Sequence, residues 1–131
     1  MIEYLNKWIL FPYLKNNDLD YLIHQDDLEK IYSLGLVKCI GVVDDYLKVK
    51  DKSGVYRVKL EGVKRSFPNP KFIWNDKVID KKKPELILEI DDFFWHHSRN
   101  EFIYTLKNKG KKSSKRYSEN DLFFYKTNPL T

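Results

Sequence analysis

From Leu36 onward the side chains alternate with a period of two. Val37, Cys39 and Val43 fall on one face against Lys38, Ile40 and Val42; after Asp44-Asp45, Leu47 and Val49 alternate with Tyr46, Lys48 and Lys50. That period marks half-buried strands, and a pair of aspartates suits a tight turn between them. Asp51-Lys52-Ser53-Gly54 has the composition of a type I turn closed by a left-handed glycine, and beyond it Tyr56, Val58 and Leu60 alternate with Val55, Arg57 and Lys59. A three-stranded meander is expected over 36–60.

Upstream of the meander the spacing lengthens. Ile2, Leu5, Trp8 and Ile9 suit one face of a short helix, which Pro12 disfavours at the residue before it. In HQDDLEKIYSLG, Asp26 stands where a helix cap would, Glu29 follows three residues later, Leu28 and Ile31 share a face, and Gly35 is placed to end the element. A helix over 27–34 follows from those signals.

Downstream, Pro68-Asn69-Pro70 punctuates the chain. Strands are expected at 71–79, 86–96, 101–107 and 114–117, followed by a helical turn in SENDLF that Ser118 or Asn120 caps. Phe102, Tyr104 and Leu106 share one face of their strand. The tail over 126–131 has little to hold it and is expected to be flexible. No long internal repeat is legible in the sequence.

A chain of 131 residues is long enough for one core, and an aromatic share of 15% favours sheets packed by rings. The expectation is a mostly β (α+β) fold in a single compact domain, 1–131. A helix and meander over 1–67 would pack with a second half over 71–125. Cys39, the only cysteine, lies in an apolar strand and can form no intrachain disulfide, which suits a reducing compartment. The N-terminus lacks the basic segment of a signal peptide, and no apolar run approaches the roughly 20 residues of a membrane span. A cytoplasmic location is the expectation.

The net charge of +5 is concentrated in one place. Residues 107–116, KNKGKKSSKR, hold six basic side chains and no acid; without those six, 18 basic residues face 19 acidic ones. So local a patch steers a polyanion or serves as the solvated turn of a hairpin, whose lysines oppose edge-to-edge aggregation.

The run Phe72-Ile73-Trp74-Asn75-Asp76-Lys77-Val78, a strand after Pro84, a hairpin, and Lys115-Arg116-Tyr117 with Asp121-Leu122 resemble the strand, turn and closing helical turn of an SH3-like β-barrel. Such barrels often carry a Gly-Asp-like turn before the valine; here Asn75 stands in the first position, the next-best residue for a left-handed turn. Over nearly the whole chain, Trp8 with Phe11-Pro12, Leu22-Ile23-His24 with Asp26-Asp27-Leu28-Glu29, Phe94-Trp95-His96 and the 111–122 segment resemble a bacterial family of small proteins without assigned activity. The resemblance implies a fold and no catalytic residues.

Candidate chemistry is sparse. Trp95-His96-His97 invites a metal reading, but neighbouring residues on a strand point to opposite faces, and His24 is the only other histidine. Asp18 and Asp20 are split by Leu19; Asp26-Asp27 suits a cap and Asp44-Asp45 a turn, while Asp91-Asp92 near His96 is the one place for acid-base chemistry. Neither an activated cysteine nor a phosphate-cradling glycine loop is evident. A non-enzymatic protein-binding module, an adaptor or immunity-type protein without cofactor or metal, is the leading expectation. Binding of nucleic acid through the 107–116 hairpin is the alternative, and a metal-dependent or acid-base enzyme a distant third. The candidate contact residues are Trp95, His96, His97, Tyr104, Lys111, Lys112, Lys115, Arg116 and Tyr117.

Overall fold

In a computed structural model that describes residues 2–15 and 18–125, period-two alternation prevails almost everywhere and the chain forms ten strands. They divide between two compact units, Met1–Asn69 and Pro70–Thr131. The tail expected over 126–131 lies outside the described residues.

The first unit contains β1 (Trp8–Leu14), β2 (Ser33–Val43), β3 (Tyr46–Lys50), β4 (Val55–Val58) and β5 (Arg65–Phe67), antiparallel in the order β4-β3-β2-β1-β5. Ile9, Phe11, Val37, Cys39, Leu47, Val49 and Val58 are removed from solvent on its inner face, where each large apolar side chain contributes about 1.5–3 kcal/mol. The expected meander is present as β2, β3 and β4.

The second unit contains β6 (Lys77–Asp80), β7 (Lys83–His96), β8 (Glu101–Asn108), β9 (Lys111–Ser118) and β10 (Leu122–Phe124), in the order β10-β6-β7-β8-β9. Its core is built from rings. Phe72 meets Tyr104 edge-on at 5.4 Å between centroids, and Phe93 meets Phe102 at 5.9 Å. A 3₁₀ turn, Glu119–Asp121, links β9 to β10, and Ser118 caps it with Asp121 in a capping box.

Several expectations are corrected. No helix forms over 27–34: residues Gln25–Lys30 make a 3₁₀ turn, and Gly35 lies inside β2. His24, not Asp26, is the cap, its Nδ1 accepting from the Asp26 N–H at 3.0 Å. Only Ile2–Tyr4 form a 3₁₀ turn at the N-terminal end, and Trp8 and Ile9 begin β1, which admits Pro12 where its register with β2 shifts. Residues 71–76 form a turn, with the strand starting at Lys77. Gly54 does not adopt a left-handed conformation; a Cβ there would press on the Tyr56 hydroxyl at 3.0 Å. Neither sheet closes into a barrel, because β5 and β10 are three residues long and pair only with β1 and β6.

The two units follow one plan. In each, the first strand lies between the second and the last, and a 3₁₀ turn precedes the last, Leu60–Gly62 in one unit and Glu119–Asp121 in the other. The agreement extends to single bonds. Asn6 (φ 66°) donates to the Cys39 carbonyl, and the Cys39 N–H donates to Lys7; Asn75 (φ 70°) donates to Ile90, and the Ile90 N–H donates to Asp76. The second strand of each unit then bulges at the matching place, between Cys39 and Gly41 and between Ile90 and Asp92. Following the registers from there, Val37 corresponds to Leu88, Val49 to Leu106, Val58 to Tyr117 and Arg57 to Arg116.

Candidate functional site

The basic run folds as the hairpin of β8 and β9. Lys109 (φ 52°) and Gly110 (φ 81°) are both left-handed, as a two-residue type I′ turn requires. Lys111, Lys112, Lys115 and Arg116 are exposed along β9, which is an edge of its sheet. Lys115 stacks its ammonium 4.9 Å from the Tyr117 ring centre, and Arg116 lies 5.2 Å from that of Phe94.

A second basic segment that the sequence reading passed over joins this one. Lys81 and Lys82 form the turn between β6 and β7, and Lys83 begins β7. A pocket of about 240 Å³ brings Lys81 and Lys82 together with Lys115, Tyr117, Asn120 and Asp121. A second, of about 210 Å³, is lined by Lys83, Lys107, Leu86, Leu88, Leu106 and Tyr117, with the Lys107 ammonium bonded to Asn75 Oδ1 at 2.9 Å and 3.9 Å from Glu89. Asp80 and Tyr117 line both. Adjoining there, the two pockets form a groove whose walls combine lysines and apolar side chains with the carboxylates of Asp80 and Asp121. The available signal was the run of three lysines before Pro84, which reads equally as a solvated turn.

Tyr117 is 8% exposed and Asp80 is buried. Burial first, then the neighbouring Asp80 carboxylate that accepts from its hydroxyl, raises the Tyr117 pKa, so the phenol stays protonated and anchors the groove. The Asp80 Oδ1 also accepts from the Lys82 N–H at 2.9 Å, which fixes the lysine turn.

The other candidates are dispersed. Tyr104 is fully buried, with its hydroxyl on Glu119 at 3.2 Å, and offers no ring face to a ligand. Trp95 packs edge-on to Phe102 at the opposite end of β7 from Lys83. His96 sits beside it, where its Nδ1 accepts from the Arg99 N–H at 3.2 Å, and His97 is exposed in the turn that follows. Asp92 accepts from the Trp74 indole at 3.1 Å and from the Phe93 N–H, while Asp91 is buried in the bulge. Four or five residues of extended strand, roughly 13–17 Å, separate these carboxylates from His96. Among the described residues no group of three or more histidine, cysteine or acidic side chains gathers for a metal ion. Nor is any helix long and apolar enough to cross a membrane.

One buried charge in the first unit bears on the site in the second. Asp27 is 4% exposed and accepts three bonds from Arg57: the backbone N–H at 2.8 Å, Nε at 3.0 Å and Nη2 at 3.2 Å. Those bonds hold its carboxyl below the usual range against the opposing effect of burial. The segment carrying Asp27 lies along the outer edge of β4: Ile23 bridges Val58, His24 donates to the Arg57 carbonyl, and Lys59 donates to that of Leu22. Sequence spacing could not reveal this pair, because 30 residues separate its members.

No curated protein and no solved structure matches the chain. A family model does match, over residues 1–123, and the chain belongs to that family, described as a family of unknown function (DUF6960).

Proposed function

We propose that this is a non-catalytic binding module, and that its SH3-like C-terminal unit binds an acidic segment of a protein partner in the groove around Tyr117. The observation that supports this reading is the convergence of two basic segments, 81–83 and 107–116, on one groove. Lysines of the groove attract carboxylates over a distance of about a Debye length, and Leu86, Leu88 and Leu106 offer contact area to aliphatic side chains. Nucleic acid fits less well. Single-strand binding without base-edge contacts draws on exposed ring faces for stacking, and here Tyr104 and Tyr117 are buried while Trp95 lies at the far end of its strand.

Fluorescence anisotropy with a labelled glutamate-rich peptide and a single-stranded DNA of equal charge tests the reading. The peptide is expected to bind more tightly, and changing Lys81, Lys82 and Lys115 together to Ala should weaken it by roughly tenfold, the sum of three exposed charge contacts. Tighter binding of the DNA, with a steep loss between about 50 and 200 mM salt, would favour the nucleic-acid reading and overturn this one.

A further inference from the structure

The first unit already carries an occupant at the place that the second leaves open. Segment 18–32 covers β4: Leu22 and Ile23 enter the same core cluster as Val37, Val49 and Val58, and Asp27 seals the edge against Arg57. In the second unit only Lys81 and Lys82 connect the first strand to the second, so no comparable segment exists. The effect shows in the matching side chains. Val37 is 0% exposed, whereas its counterpart Leu88 is only half-buried and Leu86, two residues before it, is 39% exposed.

The counterpart of Arg57 is Arg116. Both pair across the ladder with the residue that follows the bulge contact, Lys48 for Arg57 and Thr105 for Arg116. Arg57 holds a buried carboxylate; Arg116 forms no ion pair among the described residues and lies over the Phe94 ring. The backbone is poised in the same way. Ser118 sends its N–H to Asp121 Oδ2 at 2.9 Å, not back to β8, so strand alternation turns the N–H of Arg116, two residues earlier, outward as well. Among the described residues no strand or bridge lies along that edge of β9.

From this we infer that β9 is a strand-addition site: an acidic segment of a partner protein pairs with β9, as residues 22–24 bond to β4 before a 3₁₀ turn brings in the Asp27 carboxylate. Two adjacent aliphatic residues would fill the groove over Leu106 and Tyr117, and a carboxylate about four residues further on would meet Arg116. Main-chain pairing supplies affinity and the alternate pockets supply specificity, the usual division in recognition by strand addition. Charge complementarity selects the occupant. Residues 19–29 of the segment on β4 carry Asp20, Asp26, Asp27 and Glu29, and the pockets beside β9 carry Lys81, Lys82, Lys83 and Lys115.

This inference rests on the binding reading above and adds its geometry, so the experiment separates the two. The probe is a labelled peptide with the sequence of residues 19–29, added to the full chain, with residue-specific amide exchange read by NMR. Binding that protects the Arg116 amide is expected, with at least a tenfold loss for Arg116→Glu and a similar loss when the peptide's Asp27 position becomes Asn. Arg116 is exposed, so the variant keeps its fold, which the unchanged spectrum of the first unit would verify. If a glutamate homopeptide binds equally well and leaves the Arg116 amide unprotected, the strand-addition inference fails while the binding reading stands. If neither peptide binds, both fail. A concentration-dependent dimer that Arg116→Glu abolishes would overturn the choice of occupant in favour of a second copy of this chain.

Discussion

Replacing Asp27 with Asn or Ala probes the contact on which the comparison between the units depends. Three hydrogen bonds from Arg57 reach this carboxylate at 2.8–3.2 Å, and the carboxylate itself is almost wholly removed from water. A bond to a charged group is worth about 1.5–3 kcal/mol, but the guanidinium stays partly solvated and recovers water when its partner is lost. The three therefore count for less than their sum, and a loss of about 2–3 kcal/mol is expected for Asp27→Ala at pH 7. Asn keeps the shape and one acceptor, so Asp27→Asn should lose less. Because the folded carboxyl titrates below its ordinary value, its contribution is complete above about pH 5 and disappears as the pH falls through the lowered folded value. Urea unfolding of wild type and Asp27→Ala at pH 7 and near pH 3, followed by amide exchange within 37–58, gives the comparison. The wild-type advantage should be large at pH 7 and shrink towards pH 3. A difference below about 0.5 kcal/mol at pH 7, or one that persists undiminished at low pH, would refute the reasoning.

Other positions give independent tests. A Cβ at Gly62 would run into the ring of Phe11, which is fully buried, so Gly62→Ala should cost about 1–3 kcal/mol by urea unfolding despite the gain in chain stiffness. Lys109 occupies the first left-handed position of its turn, where Asn is preferred, so Lys109→Asn should raise stability by about 0.5–1 kcal/mol in the same assay. Cys39 is 0% exposed, and burial pushes its thiol pKa up. Reaction with a thiol reagent at pH 8 should therefore be slow in the folded protein and reach one equivalent only on adding denaturant.

The meander was legible because each of its strands keeps one face wet, which writes period two directly into Val37, Cys39, Leu47, Val49, Tyr56 and Val58. The expected helix misled for a physical reason: acidic residues at the start, two apolar residues on a face and a glycine beyond are the needs of a 3₁₀ turn as much as of a helix. The contact that ties the segment to β4, Arg57 on Asp27, lies 30 residues away in sequence and so could not inform the choice between them. Asn75 was correctly placed in a left-handed turn, since its side chain tolerates that backbone better than most. The shared plan of the two units was illegible because they use different cores, aliphatic around Val37 and Val49 and aromatic around Phe93 and Tyr104. Shared residues such as Asn6 with Asn75 and Arg57 with Arg116 are too sparse to show a repeat. The basic hairpin was visible as composition, while the groove beside it depends on the lysines at 81–83 and so emerged only from the fold.

The most direct test of the account is the exchange rate of two backbone amides in the free protein. The Arg57 N–H is bonded to the buried Asp27 carboxylate, whereas strand alternation leaves the Arg116 N–H facing away from β8 on the edge strand of its sheet, where no strand pairs with it among the described residues. Corrected for intrinsic rates, Arg57 should exchange at least about tenfold more slowly than Arg116, as a charge-assisted bond to a buried acceptor implies. Equal protection at the two sites would mean that the edge of β9 is already occupied and would contradict the account.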